Sequence, residues 1–166
     1  MYYSGIEPCD TLNGEGFRTT IWVSGCSQNC NGCFNPLTHN PKYGKEYTQD
    51  TQDYILNCLS KPYIQGLTIT GGHPLEPYNI NAVESLIDSV LGFLPSKDIW
   101  LYTAFTWEEI QKNDSLKQVV NKCNVLVDGR YIESLRDISL KFRGSSNQRL
   151  IDIKNSTQDN IKILNI

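Results

Sequence analysis

The sequence predicts an α/β domain in which a mainly parallel sheet forms a partial, open α/β barrel. Strand-like segments alternate with helical segments along the chain, and this order is typical of βαβ units with parallel strands. The chain has 166 residues, whereas a complete eight-stranded barrel needs about 200 or more. Because no repeat or linker divides the sequence, we expect a single domain over residues 1–166.

Four segments have the β-branched and aromatic composition of strands. They are residues 19–24 (TTIWVS), 66–70 (GLTIT), 98–103 (DIWLYT) and 124–129 (NVLVDG). The first is followed by Gly25 and the second by the pair Gly71 and Gly72. Glycine is typical of the turns at which strands end.

Helical spacing of apolar residues predicts helices between these strands. Ile55, Cys58 and Leu59 share one face of a helix after the first strand. The longest helix follows the second strand and stops at Pro95; its apolar face comprises Ile80, Val83, Ile87, Val90, Leu91 and Leu94. Thr106 and Glu109 have the spacing of a capping box, which predicts a further helix after the third strand.

Composition and charge exclude several classes of function. With 39% hydrophobic and 20% charged residues, the chain is typical of globular proteins. Its net charge of −3 does not suit nucleic-acid binding, which requires a basic surface. No apolar run reaches the about 18 residues of a membrane span, and the N-terminus lacks the features of a signal peptide. We therefore expect a cytoplasmic protein that binds neither nucleic acid nor a membrane.

The six cysteines are expected to be thiols or metal ligands, since disulfides are rare in the cytoplasm. Cys58 and Cys123 lie among apolar residues and are predicted to be buried thiols. Cys9 lies in a polar segment, and its role stays open. The other three cysteines lie together in the segment GCSQNCNGCFN, with the spacing C-x3-C-x2-C: Cys26, Cys30 and Cys33.

Two kinds of metal site are compatible with this cysteine triplet. Structural zinc usually takes four protein ligands, often as two pairs, and His39 could complete such a set. A [4Fe-4S] cluster normally takes four thiolates, so three cysteines would leave one iron open to an exogenous ligand. Gly25 and Gly32 suit the tight turns of a cluster-binding loop, although they would form turns in either case.

The cysteine triplet and the Gly71-Gly72 pair each follow a predicted strand directly. Ligands of parallel sheets bind beyond the carboxyl ends of the strands. We therefore expect the two motifs to face the same rim of the sheet and to form one site.

These motifs carry a resemblance to a known family. The C-x3-C-x2-C spacing followed by an aromatic residue resembles the signature of radical S-adenosylmethionine (SAM) enzymes, and TITGGHPLEP resembles their Gly-Gly-acidic motif. A narrower resemblance covers nearly the whole chain, to the glycyl-radical-enzyme activases that serve anaerobic ribonucleoside-triphosphate reductase. The segments that carry it are, in order, PCDTLNGEGFRTTIWVSGC, CNGCFN, TGGHPL, KDIWLYT, NVLVDGRYI and FRGSSNQR.

The resemblance implies a radical SAM oxidoreductase with a radical SAM type of partial barrel. Its cofactors would be a [4Fe-4S] cluster and S-adenosyl-L-methionine, which the reduced cluster cleaves to a 5'-deoxyadenosyl radical. That radical would generate a glycyl radical on the reductase, which is the implied protein partner. An electron donor such as a flavodoxin or ferredoxin is also implied, and a homodimer stays open.

The same resemblance assigns roles to individual residues, with no catalytic side chain beyond the cluster and SAM. The implied cluster ligands are Cys26, Cys30 and Cys33. The implied SAM-binding residues are Gly32, Cys33, Phe34, Gly71 and Gly72. Simpler roles compete with these: Phe34 could be a core aromatic, and the glycine pair could be a strand-ending turn.

Two positions depart from the family pattern. His73 occupies the position after Gly-Gly, where the family usually has an acidic residue, so we expect backbone carbonyls to bind the SAM ammonium. Glu15 occupies a position where the family more often has proline. The Gly-Glu-Gly segment that it forms resembles 7-carboxy-7-deazaguanine synthase, so the alternative is a radical SAM enzyme that acts on a small molecule. A non-enzymatic zinc or electron-transfer module is the alternative from another class.

The segment 130–149 contains five basic residues and two acidic ones. The simplest interpretation is a solvated surface. The alternative hypothesis is a docking face for the reductase, in which Arg143 and Arg149 take part.

Overall fold

The computed structural model describes residues 1–166 and contains one sheet of seven strands. The strands are β1 (Tyr2–Asp10), β2 (Phe17–Val23), β3 (Lys45–Glu46), β4 (Ile64–Gly71), β5 (Asp98–Tyr102), β6 (Val125–Asp128) and β7 (Arg149–Asp152). Their order across the sheet is β3-β1-β2-β4-β5-β6-β7. The four strands predicted from composition are confirmed as β2, β4, β5 and β6.

The expected open partial barrel with a mainly parallel sheet is wrong. The sheet is mixed: β2, β4, β5 and β6 are parallel to one another, whereas β1, β3 and β7 join it through antiparallel pairings. Half of the six pairings are therefore antiparallel. The alternation of strands and helices predicted only the four central strands. β1 and β7 pair antiparallel with β2 and β6, and no α-helix connects them to these partners.

Four α-helices accompany the sheet: α1 (Gln49–Leu59), α2 (Ile80–Phe93), α3 (Trp107–Ile110) and α4 (Asp114–Val120). Short 3-10 helices cover Pro36–His39 and Glu133–Leu135. The predicted capping box is confirmed, since the Thr106 hydroxyl accepts from the Glu109 amide and the Glu109 carboxylate accepts from the Thr106 amide. α2 ends just before Pro95, as its sequence predicts, but Leu91 is exposed and Leu86 is buried in the apolar face.

The core is a cluster of 22 buried residues, in which side chains of the central strands pack against α1 and α2. Ile69 and Leu101 come from the sheet, and Ile55 and Ile87 come from the helices; all four are fully buried. Each such side chain contributes about 1.5 to 3 kcal/mol by leaving water. This packing fixes the strand ends on which the site is built.

The predicted burial of Cys58 and Cys123 is confirmed. Cys58 and Cys123 are buried, whereas Cys9 is exposed. Burial raises the pKa of the Cys123 thiol to about 12, so this group stays protonated and unreactive at neutral pH. No helix of the structure is long and apolar enough to cross a membrane.

Arg18, at the start of β2, is fully buried at the amino ends of the parallel strands. Its guanidinium donates to the Thr68 hydroxyl at 2.7 Å, to the Leu67 carbonyl at 2.8 Å and to the Asp98 carboxylate at 2.5 Å. It also lies 5.2 Å from the centre of the Trp100 ring. A buried cation is tolerated only when it is paired and hydrogen-bonded, and these contacts meet that requirement.

Candidate iron-sulfur site

The three clustered cysteines lie on the loop that follows β2, residues 24–35, which we call the cysteine loop. Its first turn is anchored to the 3-10 helix, because the Gly25 amide donates to the Thr38 carbonyl at 2.7 Å. Gly25 has a φ of 96° and Gly32 a φ of 70°, in the left-handed region that favours glycine. A Cβ at Gly25 would also collide with the ring of Tyr78. The two glycines thus wind the loop back towards the sheet.

All three thiols are free and partly exposed: Cys26, Cys30 and Cys33. Burial raises the pKa of Cys26, and the nearby charges of Glu76, Cys30 and Cys33 raise it further. The three thiols therefore share one electrostatic environment. The side chains are nevertheless not gathered into a ready metal site, since no group of three or more His, Cys, Asp or Glu residues is placed to hold an ion.

The donor set fits a thiolate-ligated cluster by its chemistry. Three reduced, accessible cysteines on one glycine-turned loop are the soft ligands that iron-sulfur clusters take. Thiols must lose their protons to bind metal, and the raised pKa of Cys26 favours its protonated form in the metal-free chain. Metal binding is therefore coupled to loss of this proton. The assignment of these three side chains as ligands stays a prediction.

The turn after β4, residues 71–76, lies directly against the cysteine loop, and we call it the Gly-Gly turn. Gly71 pairs with Val23 in the sheet. The Gly72 amide donates to the Val23 carbonyl at 2.7 Å, and the His73 amide donates to the Gly25 carbonyl at 2.8 Å. The expectation that the two motifs face the same rim is therefore confirmed.

Both glycines of this turn are required by the protein's own packing. Gly71 has a φ of 105°, and a Cβ there would lie 2.6 Å from the backbone nitrogen and oxygen of Val23. A Cβ at Gly72 would lie 2.6 Å from the Gly25 carbonyl oxygen. The strand-ending turn is thus real, and contact of these glycines with SAM stays a prediction.

His73 is buried, although it occupies the position expected to be acidic. Its Nε2 lies 2.8 Å from the Thr103 hydroxyl and its Nδ1 lies 3.2 Å from Glu76. Its ring also meets Phe105 edge-on at 4.6 Å. Burial lowers the pKa of His73, and the hydrogen bond and charge of Glu76 offset only part of that shift. His73 is therefore neutral at pH 7.

Glu76 is the functional residue that sequence reasoning missed. One of its carboxylate oxygens accepts from both the amide and the hydroxyl of Ser27, at 2.8 and 2.7 Å. Burial by itself raises the pKa of Glu76, but the hydrogen bonds from Ser27 and His73 together bring it below its ordinary value. The sequence held a signal, since GGHPLEP places an acidic residue three positions after His73.

Phe34 and Gly32 occupy the outer side of the cysteine loop. Phe34 is fully exposed, so the interpretation as a core aromatic is wrong. A Cβ at Gly32 would collide with the carboxylate of Glu133, and that carboxylate accepts a hydrogen bond from the Tyr131 hydroxyl. The segment after β6 therefore adjoins the cysteine loop. Contact of Gly32, Cys33 or Phe34 with SAM stays a prediction.

An open cavity of about 420 Å³ lies beyond the ends of β5 and β6. Its wall includes Gly129, Arg130 and Arg149. Arg149 is committed to two carboxylates, since it donates to Asp128 and, through two nitrogens, to Glu108. Arg149 therefore has a structural role within the chain, and its role in docking stays a prediction. Arg130, in contrast, is exposed and forms no ion pair.

Comparisons with known proteins identify the family. Residues 12–151 match the family described as a 4Fe-4S single cluster domain. Over 150 residues the chain is 43% identical to the anaerobic ribonucleoside-triphosphate reductase-activating protein of Enterobacteria phage T4, covering 90% of this chain and 93% of that protein. The proteins of the same name from Escherichia coli K12 and Vibrio cholerae are each 41% identical, over 89% of this chain and 96% of theirs.

These matches discriminate among the alternatives left open by the sequence. A 4Fe-4S domain favours an iron-sulfur cluster over zinc completed by His39. The names of the relatives agree with the narrower resemblance rather than with a deazaguanine synthase. The chain therefore belongs to the family of anaerobic ribonucleoside-triphosphate reductase-activating proteins, with a 4Fe-4S single cluster domain.

Proposed function

We propose that this protein is a radical SAM activase, a single domain that generates a glycyl radical on an anaerobic ribonucleoside-triphosphate reductase. The observation that carries the proposal is the direct contact between the cysteine loop and the Gly-Gly turn at the carboxyl rim of the sheet. The first segment carries the three free thiols and the second a bare glycine backbone, in a chain whose relatives are named for activating this reductase.

In this proposal the protein supplies ligation and orientation. Cys26, Cys30 and Cys33 would hold the [4Fe-4S] cluster, and an iron without a protein ligand would be open to SAM. The Gly71-Gly72 backbone would approach the bound SAM, and the protein's own packing already excludes a larger side chain there. Gly32 and the exposed Phe34 would contact its adenosine portion.

When bound, a reduced [4Fe-4S] cluster supplies one electron that cleaves SAM to methionine and a 5'-deoxyadenosyl radical, which takes a hydrogen atom from a glycine Cα of the reductase. The chain itself contributes no acid or base to this reaction. Its tasks are to hold the reactants in line and to limit the access of water.

A protein substrate suits the surface around the cysteine loop. Phe34 and Leu37 are exposed on the loop and its following 3-10 helix, and Ile138 is largely exposed beyond the adjoining segment. Exposed apolar side chains near a reactive site are typical of protein-binding surfaces. We expect the reductase to cover them in the cytoplasm, with a flavodoxin or ferredoxin as the electron donor.

The proposal is tested by anaerobic reconstitution with iron and sulfide, followed by reduction and addition of SAM. We expect a coloured protein that releases 5'-deoxyadenosine, and an organic radical signal in electron paramagnetic resonance when the reductase is added. A colourless, zinc-binding protein would contradict the cluster. Release of 5'-deoxyadenosine without any radical on the reductase would contradict the protein substrate.

Cysteine variants provide the matched control within one chain. Cys30→Ser removes a proposed ligand, whereas Cys9→Ser removes an exposed thiol outside the loop. We expect only the first to lose the cluster. Equal iron content in both variants would show that the triplet does not hold it.

A further inference from the structure

A chain of buried and partly buried hydrogen bonds joins the carboxyl ends of three strands. The Thr103 hydroxyl, just after β5, accepts from the Phe105 amide and bonds His73 Nε2. Because an ionised Glu76 carboxylate can only accept, the neutral His73 ring carries its proton on Nδ1, and its Nε2 accepts from the Thr103 hydroxyl. Glu76 in turn accepts from Ser27 in the cysteine loop.

Glu76 is only 6% exposed, yet one carboxylate oxygen receives three donors. Burying a carboxylate is costly unless donors compensate it, and charge-assisted hydrogen bonds are the strong ones. Two of the donors belong to Ser27, which is adjacent to Cys26. The position of this charge and the position of the loop are therefore fixed together.

No lysine or arginine forms an ion pair with Glu76, although the charge of Arg130 acts on the neighbouring His73. The only ring partner of Glu76, His73, is neutral because burial lowers the pKa of that imidazole. The negative charge of Glu76 is thus partly desolvated and has no lysine or arginine partner. It is hydrogen-bonded to Ser27, the residue after the proposed cluster ligand Cys26.

Fixed charges and hydrogen bonds around an iron-sulfur cluster set its reduction potential, because reduction adds one negative charge. We propose that Glu76 is a positioning residue that holds Ser27 beside Cys26 and lowers the reduction potential of the cluster. This inference rests on the proposed function, since it needs the cluster in the cysteine loop. The role of Glu76 follows from its two hydrogen bonds with Ser27 in the cysteine loop.

The test is a redox titration of the reconstituted full chain, followed by electron paramagnetic resonance of the reduced cluster. Glu76→Gln keeps an oxygen acceptor for Ser27 and removes the charge. We expect it to raise the reduced-to-oxidised ratio at a fixed potential about tenfold, which is about 59 mV for a one-electron couple. Glu46→Gln, in the exposed edge strand β3, is the control and should leave the potential unchanged.

Ser27→Ala separates charge from geometry, because it removes one donor and keeps the carboxylate. We expect its potential to stay at the wild-type value or to move downward. A Glu76→Gln potential equal to that of wild type would overturn the inference, and so would an upward shift in Ser27→Ala as large as that in Glu76→Gln. Failure of wild type to load a cluster would instead refute the proposed function.

Discussion

Two polar networks, each centred on a buried charged residue, lie at opposite ends of the same parallel strands, and they have different consequences. At the amino ends, Arg18 is bonded to Thr68, Leu67 and Asp98, all of which belong to strands. At the carboxyl ends, Glu76 is bonded to Ser27, which belongs to a loop without regular structure. The first network ties strand to strand, whereas the second ties the sheet to the cysteine loop.

This difference indicates how the fold divides its tasks. Most of the hydrogen bonds of Arg18 go to strand residues, with one more to the Glu15 carbonyl, so we expect its charge to contribute mainly to stability. A charge satisfied by a loop controls where that loop lies. We therefore expect changes at the amino end to affect the free energy of unfolding, and changes at the carboxyl rim to affect the chemistry first.

The largest effect is expected at the carboxyl rim. Cys26→Ser should abolish cluster binding and reduce 5'-deoxyadenosine release to background, because two thiolates cannot hold three irons. Thermal unfolding of the iron-free protein should change little, since Cys26 is only partly buried. Iron analysis and an assay for 5'-deoxyadenosine check this expectation. Retention of the cluster in Cys26→Ser would show that Cys26 is not a required ligand.

The amino end is tested by Arg18→Met. It leaves the partly exposed Asp98 and two strand acceptors without their donor, and each buried acceptor left unsatisfied costs about 1 to 3 kcal/mol. Urea unfolding of the iron-free chain measures the change. Lys122→Met is the control, because its pairs with Glu84 and Asp88 are partly exposed and contribute about 0 to 1 kcal/mol. Equal costs for both variants would contradict the account.

The Gly-Gly turn should show an intermediate effect on stability. Gly71→Ala places a side chain in left-handed backbone and against Val23, with an expected cost of about 1 to 3 kcal/mol. Gly92→Ala is the matched control, since nothing lies within 4 Å of a Cβ there and alanine in a helix gains about 0.5 to 1 kcal/mol. Thermal melts of the two variants should shift in opposite directions.

The smallest expected effect is on the pH dependence of stability. Burial keeps the pKa of His73 below 6.5, so the unfolded chain binds this proton more readily and stability falls as the pH drops below about 6.5. The pKa of Glu76 lies below 4.5, so its contribution is present above that pH and is lost on further acidification. His73→Gln should remove only the first decline in a series of denaturant melts. An unchanged pH profile would show that His73 does not titrate with folding.

The sequence predicted the centre of the fold and the proximity of the cysteine loop and the Gly-Gly turn. The four parallel strands are apolar and β-branched, and three of the predicted helices have clear periodicity or caps, so local pattern was sufficient. The two motifs follow strands that are neighbours in the sheet, and topology alone brought them together.

The remaining features depend on contacts between distant residues. β1 contains a glycine and a proline, so its composition did not indicate a strand. Its pairing with β2 is also irregular, with two shifts of register. The His73 and Glu76 pair is a further example, because the sequence shows a substitution at His73 without showing that Ser27 lies beside Glu76. Side-chain partners across 49 positions of chain are not visible in local patterns.

The most direct test of the central claim is electron paramagnetic resonance of the reductase after incubation with the reconstituted, reduced protein and SAM. We expect a glycyl radical on the reductase, with a matching amount of 5'-deoxyadenosine, and neither product with Cys26→Ser. A cluster-loaded wild-type protein that cleaves no SAM and produces no radical would contradict it.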